Sequence, residues 1–111
     1  MKVETKEEIG LKHSEGKLMV EELDWTFIEE MAKGMSLAKD KYPPKNWQKP
    51  IDIESLKAAC QRHLLEVWKD EYTDPEDSIS HLAKIANNAM IMYYQLKNNI
   101  NDTKRKSRTI I

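Results

Sequence analysis

Two stretches of the chain hold the residue types that could do chemistry. Around residue 63, Arg62, His63, Glu66 and Asp70 recur at helical spacing. His63 and Glu66, three residues apart, face the same way on a helix. Further on, Asp77, His81, Lys84 and Asn88 are separated by four, three and four residues and predict one narrow polar stripe. Brought together, His63, Glu66, Asp77 and His81 make a mixed nitrogen and oxygen donor set for a hard or borderline divalent cation. Such a cation neutralises phosphate oxygens and activates a water. The same stripe also reads as a hydrogen-bonded polar seam or a wetted face of ion pairs, and the spacing leaves both readings open. Asn88, an amide set against Ala89, Met90 and Ile91, needs hydrogen-bond partners if it is buried. No Ser-His-Asp or Cys-His arrangement is readable, and Cys60, the one cysteine, falls on an apolar helical face as core filler.

The elements that must position these residues are helical. Residues 21–42 space Leu23, Phe27, Met31, Met35, Ala38 and Tyr42 by threes and fours, and Pro43-Pro44 stops the pattern. A proline-rich loop holding Asn46 and Trp47 follows; Trp47 either docks on its own core or stacks on a nucleobase. A second helix is predicted over residues 52–70, with Asp52 as its cap. A third is predicted from Asp74-Pro75-Glu76-Asp77 to about residue 97, with Ile79, Leu82, Ile85, Ala89, Met92 and Leu96 as its seam. Strand patterns are absent, so the expected fold is all-α: three main helices in a small bundle. Met90, Met92, Tyr93 and Tyr94 make the third helix apolar around much of its circumference, and the expectation is that a homo-oligomer, dimer or higher, completes the bundle. Residues 1–15 read as a flexible arm, 16–98 as one helical domain and 99–111 as a basic tail.

Composition limits the alternatives. The chain has 111 residues, 33% charged and 40% hydrophobic, with 18 basic and 19 acidic side chains. That supports one small domain with a thin core. A net charge of −1 gives no field directed at nucleic acid or an acidic membrane. A lone cysteine excludes a disulfide framework and a multi-cysteine zinc site. None of the three glycines belongs to a phosphate-cradling motif. The longest apolar run is too short to cross a bilayer, and the charged N-terminus lacks the apolar stretch of a signal peptide. The expectation is a small soluble protein of the cytoplasm.

The ordered set Gly16-Lys17-Leu18, Lys41-Tyr42, Asn46-Trp47, Arg62-His63-Leu64, Glu71, Asp74-Pro75-Glu76-Asp77-Ser78, His81-Leu82-Ala83 and Asn88 resembles the N-terminal domain of phage dATP/dGTP diphosphohydrolases. The resemblance covers about residues 16–96 and extends to all-α, MazG-like nucleoside triphosphate pyrophosphohydrolases. It implies metal-dependent release of pyrophosphate from a purine deoxynucleoside triphosphate, with Mg²⁺ or Mn²⁺ as the cation, in the cytoplasm of the host cell. Carried onto this chain, Glu66, Asp77 and His81 hold the metal, and Glu66 and His63 are the catalytic candidates. Lys41, Arg62 and Lys84 contact phosphates; Asn46, Trp47 and Asn88 read or stack on the base. The MazG-like pattern of Glu-x-x-Glu followed by Glu-x-x-Asp is replaced by His63-x-x-Glu66 and His81-x-x-Lys84. A nucleotide-sequestering protein without turnover and a structural helical module are the rival expectations.

Overall fold

The computed structural model describes residues 9–13 and 15–100. Most of the expected N-terminal arm and nearly all of the basic tail lie outside the described residues. Among the described residues three α-helices form: α1, Trp25–Ala38; α2, Ile53–Trp68; and α3, His81–Lys97. Among the described residues there is no strand, only one isolated antiparallel bridge between Thr73 and Ser80. The fold is an all-α small bundle.

Local chemistry sets the helix ends. The Asp24 carboxylate caps α1 by accepting from the Thr26 backbone N–H at 3.0 Å and its hydroxyl at 2.6 Å. Helix α1 ends at Ala38, ahead of Pro43. At the end of α2, Asp70 turns left-handed (φ 65°), so its N–H reaches Val67 O and that of Glu71 reaches Glu66 O. Asn99 ends α3 in the same way, with Ile100 N donating to Gln95 O.

Helix α3 begins at His81, well after the start that the Asp-Pro-Glu pattern suggests. Residues 74–80 form a closed loop instead. The Asp74 side chain accepts from Glu76 N and that of Asp77 from Ile79 N, so both acids spend a carboxylate oxygen on local turns. Backbone bonds from His81 N to Tyr72 O and from Asp74 N to Ile79 O then draw the loop's two ends together. Ser80 is the true cap: its hydroxyl accepts from Leu82 N and Ala83 N.

Helix α3 is the shared wall of the bundle. It packs most extensively on α2 and also on α1, so two sides of it are covered within a single chain. Its most buried positions are Ala83, Asn87 and Gln95 together with His81; the expected seam residues Leu82 and Leu96 are exposed. The packed face is thus rotated toward the polar side of the helix because its amides have backbone partners. Asn87 Nδ2 donates to Met31 O of α1, and Gln95 Nε2 donates to Trp47 O and Lys49 O while its Oε1 accepts from Ile51 N. The apolar core is thin: Ile53, Leu56, Ile79 and Ala83. Trp68 and Tyr93 remain 75% and 67% exposed, and no helix is long and apolar enough to cross a membrane among the described residues.

At the α1–α3 contact, a Cβ on Gly34 would come within 2.7 Å of Asn87 Nδ2. Gly34→Ala should therefore lower the melting temperature, because the Asn87 amide must leave Met31 O. Ser80→Ala should cost about 1 kcal/mol in urea unfolding, the usual loss for a helix cap; an unchanged midpoint would remove Ser80 from that role.

Candidate functional site

Two cavities adjoin along α3. The larger, about 490 Å³, is mostly apolar and is lined by Tyr42, Pro43, Pro44, Asn46, Trp47 and Ile91 among others. The smaller, about 200 Å³, is lined by Gly34, Lys41, His63, Asp77, Lys84 and Asn87. Met35, Ala38, Tyr42 and Asn88 belong to both, so the two share a wall. Trp47 lies edge-on to Tyr94, with ring centroids 4.8 Å apart, so it docks on the core and faces the larger cavity at once. Gln95, fully buried, fastens the loop that carries Trp47 to α3.

The loop between α2 and α3 delivers the charged groups. Lys84 Nζ donates to Asp74 Oδ2 at 2.8 Å and to Asp77 Oδ2 at 2.5 Å. Burial works against the Lys84 charge, but the hydrogen bonds to Asp74 and Asp77 outweigh it and hold its pKa above the ordinary value. The Asp74 carboxyl is held below its usual range by Lys84 and by the Glu76 N–H. For Asp77, burial pushes upward, yet Lys84 and the Ile79 N–H prevail and the pKa falls.

Behind this ion pair, His63 of α2 and His81 of α3 meet Nδ1 to Nδ1 at 2.8 Å. One ring must present an N–H there and the other a lone pair. Burial, then the neighbouring His81 and Lys84, push the His63 pKa down against the pull of Asp74. His81 is 4% exposed, and its Nε2 has no hydrogen-bond partner. The ligand atoms of His63, Asp74 and His81 lie within 4.8 Å of one another, a group able to hold a metal ion. The uncommitted imidazole nitrogen and the N,N,O donors suit a cation, so the residues present fit one.

The expected site residues separate into those that converge and those that do not. Lys41, His63, Asp77, Lys84 and Asn88 share the smaller cavity, and Asn46, Trp47 and Asn88 the larger. His81 sits beside His63. Arg62 is exposed and lines neither cavity, and Glu66 lines neither while pairing with Lys69 at 3.5 Å. Asp74 joins the histidines although its sequence context reads as a helix cap. Asn87, not singled out by sequence, lines the smaller cavity with its Oδ1 buried and unpartnered. Asn88 Nδ2 donates to Lys84 O within its own helix. Cys60 lies half-buried with Sγ 3.8 Å from Ile85 O, and burial raises its thiol pKa, consistent with core filler.

The ion pair gives a signed pH dependence. Both aspartates have lower pKa values folded than unfolded, so their stabilisation is present at neutral pH and is lost as pH falls through the folded values. In Lys84→Met the two carboxylates face each other without a cation, their pKa values rise, and the sign reverses. Acidifying from about pH 6 to about pH 4 should lower the melting temperature of the parent more steeply than that of Lys84→Met. Parallel curves would show that Lys84 does not set these pKa values.

The family model described as dATP/dGTP diphosphohydrolase, N-terminal, matches residues 7–105. A dATP/dGTP diphosphohydrolase of Salmonella phage PMBT28 is 35% identical over 89 residues, which is 80% of this chain and 30% of that protein. The chain thus spans less than a third of the length of that relative. No solved structure matches it. With the family model covering most of the sequence, including every motif of the two cavities, this chain belongs to the dATP/dGTP diphosphohydrolase N-terminal-domain family.

Proposed function

We propose that the chain binds a purine deoxynucleoside triphosphate across the two cavities and takes part in its hydrolysis to monophosphate and pyrophosphate. The observation that carries this reading is the shared wall: an apolar cavity beside Trp47 opens next to a smaller one edged by two lysines, a histidine and Asp77. The first suits a base and the second a phosphate chain. Trp47 offers an aromatic face, while Asn46 and Asn88 offer donors and acceptors for base edges. Lys41 offsets phosphate charge, as does Lys84 where it turns from Asp74 and Asp77, and the exposed Arg62, outside both cavities, adds long-range attraction for an anionic ligand. A divalent cation on His63, Asp74 and His81 would supply charge neutralisation and a water of lowered pKa. In this reading His63 would hold the cation through the lone pair of its neutral ring, and its lowered pKa keeps that nitrogen free of a proton near pH 7. The relative named dATP/dGTP diphosphohydrolase supports the choice of substrate class.

One observation favours a second reading, nucleotide binding without turnover. Asp77, which lines the smaller cavity, and Asp74 are both engaged by Lys84, which leaves few free carboxylates to hold a cation. The two readings differ in products. Incubation with each deoxynucleoside triphosphate and Mg²⁺ or Mn²⁺ should release pyrophosphate under the first reading. Under the second, the nucleotide should raise the melting temperature by mass action and remain intact. Absence of both responses would leave a structural module. Glu66→Gln tests the expected catalytic role of Glu66: lost turnover with an intact fold assigns it, and retained turnover removes it. In a Trp25→Phe, Trp68→Phe background, Trp47→Ala should weaken nucleotide binding about tenfold, the worth of one stacked base. If it lowers only the melting temperature, Trp47 serves the core alone.

A further inference from the structure

We infer that His63, Asp74 and His81 form a site for a borderline transition-metal cation of the Mn²⁺, Co²⁺ or Zn²⁺ class, and that this site rejects Mg²⁺. The inference concerns the cation of the proposed function but does not use the nucleotide. Imidazole nitrogens suit borderline transition metals, whereas Mg²⁺ prefers six oxygen ligands and sheds water reluctantly. Here two of the three donors are nitrogens. The carboxylates from which an oxygen shell would be built, Asp74 and Asp77, are drawn to Lys84, so a Mg²⁺ ion bridging them would meet an ammonium group.

Distances support the nitrogen site. Two nitrogens each about 2.0–2.1 Å from one metal lie roughly 2.9–3.4 Å apart at octahedral or tetrahedral angles. The Nδ1 atoms of His63 and His81 are 2.8 Å apart with ring centroids at 5.1 Å, so the rings meet head-on and must turn, by roughly 35–45° from the N···N line, before both lone pairs aim at one cation. They come from different helices that pack along their length, and His81 is almost fully buried. One imidazole is therefore fixed by the bundle while the other, half-buried, adjusts. Without a cation, the two Nδ1 atoms must share one proton between them. Asp74 reaches the pair because the loop from Tyr72 to His81 closes on itself, and its second oxygen is fixed by Glu76 N. Lys84 competes with the cation for Asp74, which makes affinity depend on where the ammonium goes.

Cobalt titration of the untagged chain, without nucleotide, tests this directly. The expected result is one Co²⁺ per chain with visible d–d absorption, displaced by Zn²⁺ and retained in about 100-fold excess Mg²⁺. His63→Ala and Asp74→Asn, each checked by circular dichroism for an intact fold, should lower Co²⁺ affinity at least tenfold. Lys84→Gln should raise it. Co²⁺ bound equally well by folded His63→Ala, displacement by equimolar Mg²⁺, or no binding overturns the inference. Because no nucleotide is present, a failed substrate assignment leaves this result standing, and failure here leaves nucleotide binding to be judged separately.

Discussion

The architecture of the site depends on one ammonium group. Lys84, 17% exposed along its side chain, holds the carboxylates of Asp74 and Asp77 against the first turns of α3. Two carboxylates brought this close to each other and out of bulk water repel unless a cation lies between them. With Lys84 in place, the acidic loop can close over the start of α3, and Ser80 is free to cap the helix. The Glu30 carboxylate of α1 accepts from Ser80 N at 3.0 Å, so the same loop is also fixed from the opposite side. Remove the ammonium, and the two carboxylates face each other uncompensated, while the loop's own backbone bonds still hold Asp74 near the two histidines.

Helix α3 serves every part of the site. Its first residue supplies an imidazole, its second turn the lysine, its middle the paired amides of Asn87 and Asn88, and its last turns the Gln95 that fastens the Trp47 loop. Such a helix cannot be wholly apolar on its packed face. Its buried amides are matched to backbone groups of α1 and of the 47–51 loop, and each such bond contributes little net stability but is expensive to leave unmade. The thin apolar core and the exposed Trp68 and Tyr93 fit a chain whose order rests heavily on these polar fastenings. They also make the site sensitive to single substitutions far from either cavity.

The two histidines are placed by different means. His63 rides on the middle of α2, where the helical repeat sets its direction. His81 stands at the very start of α3, where the direction of the side chain depends on where the helix begins. A helix starting at Pro75 would have carried His81 on its second turn. Because Asp74 and Asp77 turn onto their own backbone, the helix waits until Ser80, and His81 enters the interior to meet His63.

From sequence alone, the all-α class, the three helices, the stop before Pro43 and the polar residues on helices two and three were legible. Helical periodicity and proline sterics act over a few residues and need no partner to be read. The sequence offered His63 and His81 as members of one cluster or of a polar seam, but their meeting depends on a helix start at Ser80 that the Asp-Pro-Glu pattern did not suggest. Tertiary structure alone decided that Asp74 joins them, that Arg62 and Glu66 line neither cavity, and that α3 turns Asn87 and Gln95 inward. Each of these depends on which long-range partner satisfies a polar group: Lys84 for Asp74, Met31 O for Asn87, the 47–51 backbone for Gln95. A carboxylate that caps a helix and one that binds a lysine ten residues away have the same local sequence, and only the closed chain distinguishes them.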